Sequence, residues 1–247
     1  MIVKEMTWEE YEENIKKSVV ILPIGSLEQH GPHLPLNVDV IIAEEFAVYV
    51  ADKLGCMVLP PITYGYKSYP TSGGGQLFPG TTSLNGKTFM DLVLEILKET
   101  YRHGGRKFLI INAHYENEAF INEAVDIFTN DCNDAKVITL AWWDQVSQDV
   151  IDDLFAEAGF PGWDTEHASI AETSLMLYFS NDLVRKDKII SDQAKRKPTY
   201  GIFPPPKDII PQSGVLYKAA YATQQKGERL ANHVIDKIVM IVKKELL

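Results

Sequence analysis

The sequence predicts an α/β protein with three layers, in which helices cover both faces of a mainly parallel central sheet. Four apolar runs bounded by turn residues recur along the chain, and segments of helical character lie between them. The runs are continuously apolar rather than alternating, which is typical of parallel strands buried on both faces. Strands that alternate with helices indicate right-handed βαβ units.

The predicted elements follow each other in a regular order. Strands are expected at 19–26, 57–65, 107–115 and 136–144. Helices are expected at 40–54, 86–103, 116–131, 145–158, 166–179 and about 216–246. Gly55 and the pair at 104–105 follow two of these helices as stop signals. Asp164 or Thr165 is the candidate N-cap of the helix at 166–179.

Two long connections interrupt this order. Residues 66–86 are rich in Gly, Ser, Thr and Pro, and residues 197–214 are rich in Pro. Long connections of this kind are often functional. No internal repeat and no convincing domain boundary is visible, so residues 1–247 are expected to form a single domain.

Composition and charge exclude several classes of function. The chain of 247 residues is 45% hydrophobic and 23% charged, with a formal net charge of −10. Such an acidic chain lacks the basic stripe of a nucleic-acid-binding protein, and no apolar run reaches the length of a membrane span. The N-terminus does not resemble a signal peptide. The two cysteines show no paired spacing, so we expect a reducing, cytoplasmic location.

Acidic residues and histidines gather behind the first predicted strand. Glu28, His30, His33 and Asp39 all lie within residues 26–39. In open parallel sheets, ligands bind beyond the carboxyl ends of the strands. Residues two apart in extended chain point the same way, so Glu28 and His30 can reach into one cleft, each to its own metal ion. Asp39, just before the next helix, can bridge two ions.

Two further clusters are expected at the same edge of the sheet. His114, Tyr115 and Glu116 follow the third predicted strand where it becomes a helix. His167 and Glu172 lie further along and are five residues apart, so an ideal helix would not place both on one face. We therefore expect one of them at the helix start, in a role different from that of the other.

Each of these residues alone has a simpler explanation. A lone histidine at a strand end is usually a hydrogen-bonded structural residue, and a lone glutamate in a first helical turn is usually a cap. That explanation weakens because three clusters that mix His with Asp or Glu all follow the predicted strands. Carboxylate and imidazole without thiolate favour Zn²⁺ or Mn²⁺. Two such ions sharing a carboxylate would lower the pKa of a water between them, which indicates hydrolysis.

Four motifs stand out along the chain, three of which contain these clusters: GSLEQHGPHLPLNVD, SGGGQLFPGTTSLNG, NAHYENEAF and WDTEHASIAETS. These motifs resemble those of the creatininase family, the metal-dependent creatinine amidohydrolases. The second and third look like creatininase proper, because many relatives with other substrates carry NGHGGN where this chain has NAHYEN, although Ala113 replaces a glycine usual in the family. The resemblance implies a three-layer creatininase-like fold and hydrolysis of a small cyclic amide, creatinine plus water giving creatine.

Other functions remain open. A relative could open another small ring, such as a keto-inositol of the 3-dehydro-scyllo-inosose type, or act on another cyclic amide or a formamide. A metal-stabilised scaffold without turnover is a third hypothesis. Glu116 and His167 argue against a scaffold, because neither is a metal ligand in the pattern that the resemblance implies.

The resemblance also implies roles for particular residues. Two divalent ions per chain, Zn²⁺ and/or Mn²⁺, would be held by Glu28, Asp39 and His114 and by His30, Asp39 and Glu172. Glu116 would hold the proton of the attacking water and orient the substrate, and His167 would protonate the departing ring nitrogen. The implied substrate contacts are Ser72, Tyr115, Asp164, Trp143 and Trp163. The family assembles as hexamers, so a homo-oligomer is implied.

Overall fold

The sheet of the molecule is parallel, as the sequence predicts. A computed structural model of the chain describes residues 1–196 and 198–247. Within these residues the sheet has four strands in the order β2-β1-β3-β4, and each neighbouring pair is parallel. The strands are β1 Val19–Ile24, β2 Met57–Val58, β3 Lys107–Asn112 and β4 Lys136–Ala141.

Helices cover both faces of this sheet. The α-helices of the described residues are α1 Trp8–Ile15, α2 Val38–Leu54, α3 Gly86–Arg102, α4 Glu118–Asp131, α5 Gln148–Leu154, α6 Ile170–Phe179 and α7 Gln224–Glu245. One core packs α2, α5, α6 and α7 against the sheet, and a second core packs α1, α3 and α4 against its other face. The predicted three-layer α/β/α arrangement is therefore confirmed.

Strand β1 shows why the apolar runs are continuous. Val19 and Ile21 belong to the core on one face of the sheet, whereas Val20 and Leu22 belong to the core on the other. Side chains alternate between the two faces of a strand, so a strand covered on both sides needs apolar residues at every position. All six residues of β1 are buried.

Local signals set several helix ends. The Thr7 side chain accepts a hydrogen bond from the backbone N–H of Glu10, and the Glu10 side chain accepts one from the backbone N–H of Thr7, which forms a capping box at α1. The side chain of Asn85 caps α3. Gly55, predicted as a stop signal, ends α2 with a left-handed φ of 70°, a conformation that glycine adopts without steric cost.

The start of α6 differs from the prediction. The helix begins at Ile170 with Ser169 as its N-cap, so the predicted start at 166 and the predicted caps Asp164 and Thr165 are wrong. Ala168 has a positive φ of 52°. A right-handed helix cannot run through a residue in that conformation, and the preceding residues form turns instead.

Other predicted elements prove shorter. β2 ends at Val58 rather than 65, because Pro60 and Pro61 have no N–H to donate to a strand ladder. α4 begins at 118, after a 3₁₀ turn at Tyr115–Asn117. α5 and α7 also cover less than predicted, because 3₁₀ turns at 143–145 and 219–221 precede them.

The two long connections remain largely irregular. Residues 66–86 contain a 3₁₀ turn at Gly75–Leu77 before α3. The second connection, predicted at 197–214, begins at a residue outside the described ones, and its described part at 198–214 has neither helix nor strand. Among the described residues, no helix combines the length and apolar character that a membrane crossing requires.

Candidate metal centre and active site

The five predicted metal ligands lie together at the carboxyl edge of the sheet. Glu28 and His30 follow β1, His114 follows β3, and Asp39 and Glu172 lie in the first turns of α2 and α6. All five are buried. Their ligand atoms form two groups, one with Glu28, Asp39 and His114 and one with His30, Asp39 and Glu172. Asp39 belongs to both groups, which is the geometry that a bridging carboxylate needs.

In the first group, the ring of His114 is oriented by the backbone. Its Nε2 lies 3.0 Å from the carbonyl oxygen of Tyr66 and donates a hydrogen bond to it. The other ring nitrogen, Nδ1, lies 3.0 Å from Glu28 Oε1 and 3.1 Å from Asp39 Oδ2. In the neutral ring this Nδ1 carries a lone pair, which therefore faces two carboxylates.

The second group repeats this arrangement. His30 Nδ1 lies 3.1 Å from the carbonyl oxygen of Glu28, to which it donates. His30 Nε2 then faces Asp39 Oδ1 at 3.0 Å and Glu172 Oε2 at 3.7 Å. Both histidines thus turn a lone pair toward carboxylate oxygens. This is the tautomer selection by backbone carbonyls that is common around metal-binding histidines.

The unpaired atoms of the centre fit a cation. Among the described residues, Glu28 Oε2, His30 Nε2 and Asp39 Oδ2 are buried without a hydrogen-bond partner. Buried polar atoms are normally paired, because an unpaired one loses its hydration. A lone pair facing a carboxylate oxygen at about 3 Å is repulsive unless a positive charge lies between them. The donor set of imidazoles and carboxylates fits Zn²⁺ or Mn²⁺.

The ionisation of the cluster shows the same need for positive charge. Burial alone would lower the pKa of His30, but Asp39 and Glu172 raise it well above its ordinary value. Burial likewise opposes the charge on His114, yet Glu28 raises its pKa well above the ordinary value. The carboxylates therefore favour positive charge within the centre. Divalent cations would supply that charge and leave both rings neutral as ligands.

Glu172 is held by an unusual backbone conformation. Its Oε2 accepts a hydrogen bond of 2.6 Å from the backbone N–H of Ala168. Ala168 is fully buried, and it is the one non-glycine residue with a positive φ in the described part of the chain. Strained residues of this kind tend to persist at functional sites. Here the strain turns an N–H toward a predicted ligand.

His33 does not join the centre. The sequence grouped it with Glu28, His30 and Asp39, but its Nε2 lies 2.9 Å from the hydroxyl of Thr173. Burial, with a smaller effect from His30, lowers the pKa of His33 to about 4. A neutral ring bound to a helix hydroxyl joins the first motif to α6, which is a structural role.

Glu116 is fixed beside the predicted metal ligands. Its Oε1 accepts hydrogen bonds from the backbone N–H of Tyr69 at 2.6 Å and from the hydroxyl of Ser72. Its Oε2 has no hydrogen-bond partner among the described residues and lies 3.4 Å from His114 Nε2. Burial raises the pKa of Glu116. Ser72, predicted to contact substrate, lies where it orients Glu116.

His167 lies in the turn before α6 and faces the same cleft. Its Nε2 is 2.8 Å from the carbonyl oxygen of Gln29, and its Nδ1 is 3.8 Å from Glu28 Oε1. Its ring centroid is 4.4 Å from that of His30. Ligand atoms of Glu28, His30 and His167 also form a group that could hold a metal ion. The structure therefore places His167 close to the ligands, and its predicted role as proton donor stays a prediction.

A small inner chamber lies beside the predicted ligands Glu28, Asp39, His114 and Glu172, which line it. Aromatic side chains form its other walls. Tyr115 stacks on Trp143, with ring centroids 5.8 Å apart and planes at 28°. Trp142 contacts the edges of Trp143 and Trp163. Trp142, Trp143 and Trp163 all line the chamber together with the metal-site residues. The predicted tryptophans are therefore adjacent to the site, and Trp142 is a further wall residue.

A larger cavity of about 980 Å³ lies outside this chamber. Ser72, Tyr115 and Glu116 line both spaces, so they separate the chamber from the cavity. The walls of the cavity include residues 69–72 and 198–203, from the two long connections, and the predicted substrate contact Asp164. The two long connections therefore border the cavity that lies next to the chamber.

Besides Trp142, two buried polar residues of the site were missed by the sequence reasoning. Glu166 lines the chamber, and its Oε1 accepts a hydrogen bond of 2.7 Å from the backbone N–H of Ala171. Burial, together with the charge of Glu172, raises the pKa of Glu166 to about 8. Gln29 carries no charge and was passed over between Glu28 and His30. Their positions inside the first and fourth motifs were the signal that could have identified them.

The fold and the paired groups of ligands define a metal-dependent hydrolase. Residues 4–242 match the Creatininase family, described as creatinine amidohydrolase, and the chain belongs to this family.

Relatives of known activity differ in substrate. The creatinine amidohydrolase of Pseudomonas putida is 40% identical over an alignment of 253 positions, which covers 99% of this chain and 97% of that protein. The 3-dehydro-scyllo-inosose hydrolase of Thermotoga maritima is 31% identical over 196 residues, 77% of this chain and 60% of that protein. A mycofactocin precursor peptide peptidase of Mycolicibacterium smegmatis is 28% identical over 228 residues, 88% of this chain and 81% of that protein.

Solved structures agree with this assignment. A mutant creatininase complexed with creatine superposes with a TM-score of 0.95 at 40% identity, covering 99% of this chain and 98% of that one. A mutant creatininase of Zn-Zn type and a creatininase with Mn give the same TM-score of 0.95 and identity of 40%.

Proposed function

We propose that the protein is a creatinine amidohydrolase, which adds water to creatinine and opens its ring to give creatine. The observation that carries the proposal is the pair of ligand groups that share Asp39, because their unpaired atoms and inward-facing lone pairs suit two divalent ions. The likeness to the Pseudomonas putida enzyme over 99% of this chain supports creatinine as the substrate.

Two ions per chain, Zn²⁺ and/or Mn²⁺, would be held by Glu28, Asp39 and His114 and by His30, Asp39 and Glu172. The chemistry that such ions supply is polarisation of a carbonyl group and activation of a water molecule near neutral pH. The likeness to structures of Zn-Zn and Mn type supports this choice of metals.

Glu116 is proposed to take the proton of the attacking water. Its Oε1 is held by the backbone N–H of Tyr69 and the hydroxyl of Ser72, so its unpaired Oε2 is the oxygen that can receive the proton. The raised pKa of Glu116 makes its carboxyl a better base than an ordinary glutamate. Ser72 would orient this carboxyl and contact the substrate beside it.

His167 is proposed to complete the reaction at the leaving group. When the ring C–N bond breaks, the electron pair stays on nitrogen, which then needs a proton. His167 Nε2 is bound to the carbonyl oxygen of Gln29, so Nδ1 is the nitrogen turned toward the cleft. A proton on Nδ1 would pass to the departing nitrogen, which is the step that a general acid performs.

The aromatic walls would position the ring and exclude water. Tyr115, Trp143 and Trp163 line the chamber, and aromatic faces bind flat, partly cationic rings. Asp164 lies at the border of the outer cavity, where its carboxylate would attract such a ring.

The test is turnover by metal-loaded protein. Zn²⁺- and Mn²⁺-loaded samples would be incubated separately with creatinine, creatine and a panel of small cyclic amides, formamides and cyclic ketones. We expect the loaded protein to interconvert creatinine and creatine. Added chelator should stop this turnover at concentrations that do not yet lower the melting temperature of the protein. A protein that binds metal, loses stability on chelation and turns over no ring would be a scaffold, and the proposal would be wrong.

The same panel tests a second candidate. The outer cavity of about 980 Å³ is at the upper end of the range for drug-sized ligands, so it has room for a larger substrate than creatinine. A keto-inositol of the 3-dehydro-scyllo-inosose type, or another cyclic amide or formamide, would use the same metal centre. Faster turnover of one of these compounds than of creatinine would favour this alternative.

We also propose a single domain over residues 1–247 that assembles as a cytoplasmic homohexamer. The family resemblance supports the assembly, and the absence of paired cysteine spacing supports the location. Light scattering should give a mass several times that of the 27.8 kDa chain. A monomer at micromolar concentration would contradict the hexamer.

A further inference from the structure

The side chain of Gln29 joins the two long connections beside the metal centre. This residue lies between two predicted ligands and is 6% exposed. Its Nε2 donates hydrogen bonds to the carbonyl oxygens of Gly73 at 3.1 Å and Gly214 at 3.0 Å. Its Oε1 accepts one of 2.9 Å from the backbone N–H of Gly31. Both amide hydrogens and the amide oxygen are therefore used within the protein.

The backbone at Gln29 is held from two further sides. Its N–H donates a hydrogen bond of 3.0 Å to the hydroxyl of Thr81. Its carbonyl oxygen accepts one of 2.8 Å from Nε2 of His167. The residue thus connects the first motif, both long connections and the turn before α6, which are distant in sequence.

This network determines which ring nitrogen of His167 donates a hydrogen bond within the protein and which one faces the cleft. Gln29 Nε2 also lies 3.0 Å from the ring Nε2 of His167, but its two hydrogens already point to Gly73 and Gly214. The hydrogen between the residues therefore belongs to the imidazole, which donates it to the Gln29 carbonyl oxygen. The other ring nitrogen, Nδ1, is left to face the cleft.

Gly214 allows the backbone to approach the Gln29 amide closely. A Cβ atom there would lie 1.9 Å from Gln29 Oε1, and Gly214 has a positive φ of 76°. A Cβ at Gly73 would lie 3.4 Å from the ring of His167, which is an ordinary van der Waals distance. The chain therefore packs its backbone directly against the Gln29 amide, and this packing leaves no space for a larger residue at 214.

We propose that Gln29 is a positioning residue, whose amide holds the connections 66–86 and 198–214 together and whose carbonyl group keeps His167 Nδ1 toward the cleft. Gly73 directly follows the segment 69–72 that borders the outer cavity, and Gly214 lies five residues after Ile209, the last residue of the second connection in the cavity wall. The amide therefore sets the relative position of the two sides of that cavity. The part that concerns His167 rests on the proposed function, whereas the part that concerns the connections does not.

The test compares two Gln→Met variants of metal-loaded protein. Gln29→Met keeps the length of the side chain and removes its hydrogen bonds. Gln76→Met is the matched control, because Gln76 is exposed, lies in the same connection and contacts Ser83 rather than the site. For each variant, metal content, amide hydrogen exchange by mass spectrometry, kcat and KM would be measured.

We expect Gln29→Met to retain its metal ions and to lose exchange protection around residues 68–75 and 209–216. Its kcat should fall by about 10–100-fold, the range found when residues that orient functional side chains are replaced, with a smaller change in KM. Gln76→Met should match the wild type in all four measurements. If Gln29→Met does not fold, Gln29→Glu provides the test, because it keeps the shape but turns an acceptor toward the carbonyl groups of Gly73 and Gly214.

Three results would overturn the proposal. Unchanged exchange at both segments would show that the amide does not hold them. Lost protection with wild-type kcat would make Gln29 merely structural, and loss of a metal ion would place its effect in the ligands rather than in His167. A wild-type protein without turnover of creatinine would refute the proposed function, while the exchange data would still decide whether Gln29 holds the connections.

Discussion

Two acid–base pairs, one in the candidate metal centre and one on the surface, have similar distances between their polar atoms but differ in what they contribute to the protein. At the metal centre, His30 Nε2 lies 3.0 Å from Asp39 Oδ1, and both side chains are nearly inaccessible to water. On α3, Lys87 lies 2.5 Å from Asp91, with side chains 80% and 48% exposed. Exposed pairs contribute about 0.3–0.5 kcal/mol on helices, because water screens them. A buried charge is stable only with its charged partner, because water cannot reach the group to replace a partner that has been removed.

The surface pair and the candidate metal centre also differ in whether their polar atoms all have a hydrogen-bond partner. The surface pair is complete, since the ammonium and carboxylate groups satisfy each other and the solvent satisfies the rest. In the centre, buried atoms of Glu28, His30 and Asp39 have no hydrogen-bond partner among the described residues. Short distance alone therefore does not distinguish a binding site from a surface pair. Burial combined with unpaired atoms does.

The largest expected effect comes from removing the shared carboxylate. Asp39→Ala should lose most of the bound metal and all measurable turnover, because Asp39 belongs to both ligand groups. Metal analysis should give near two ions per wild-type chain, as proposed. Asp91→Ala is the control on the surface and should keep full metal content. Full occupancy in Asp39→Ala would remove the bridging assignment.

A second prediction separates a ligand from a proton donor. His30→Ala should lose one metal ion, whereas His167→Ala should keep both and the fold. The kcat of His167→Ala should fall by roughly 10²–10⁴-fold, the usual contribution of a general acid or base. Metal content and turnover must be measured on the same samples. If His167→Ala loses an ion, His167 is a ligand, which the third group of ligand atoms allows.

A third prediction tests the buried backbone that holds Glu172. Ala168 is fully buried with a φ of 52°, so Ala168→Val should destabilise the protein by about 1–3 kcal/mol or more. A branched side chain tolerates this conformation poorly and has no space there. Ala168→Gly should stay within about 1 kcal/mol of the wild type, because glycine adopts positive φ readily.

Urea unfolding of both variants, with metal content measured in parallel, checks this expectation. Equal stability of Ala168→Val and Ala168→Gly would show that the conformation at Ala168 is not restrictive.

The smallest effect is expected on the surface. A double-mutant cycle of Lys87→Met and Asp91→Ala should give a coupling free energy of at most about 0.5 kcal/mol. This value should shrink further as salt is added. Metal content should not change in either variant. A coupling above about 1 kcal/mol would mean that exposure does not weaken this pair.

Much of the fold could be predicted because it depends on local pattern. The continuous apolar runs placed all four strands of the sheet, since a strand covered on both faces requires apolar residues throughout. Gly55 ended α2 where predicted, because its left-handed conformation suits glycine. Glu28, His30 and Asp39 could be proposed as metal ligands because they follow a strand whose carboxyl end must face the cleft.

Other features depended on contacts between segments that are distant in sequence. α6 began later than predicted because the conformation of Ala168, which no local propensity favours, is held by burial and by a hydrogen bond to Glu172. His33 shares a motif with His30, but its ring contacts the hydroxyl of Thr173 on α6 instead of the candidate metal centre.

The sequence by itself determined the α/β class, the parallel strands and the clusters of acids and histidines, since each follows from periodicity or from position relative to a strand. Only the tertiary structure decided which side chains meet. It paired Ser72 with Glu116, although they lie in different segments, and it placed Gln29 between two connections that its neighbours in sequence do not reveal. The physical reason is that hydrogen bonds and desolvation act between atoms close in space, whereas sequence patterns record only the local part of that environment.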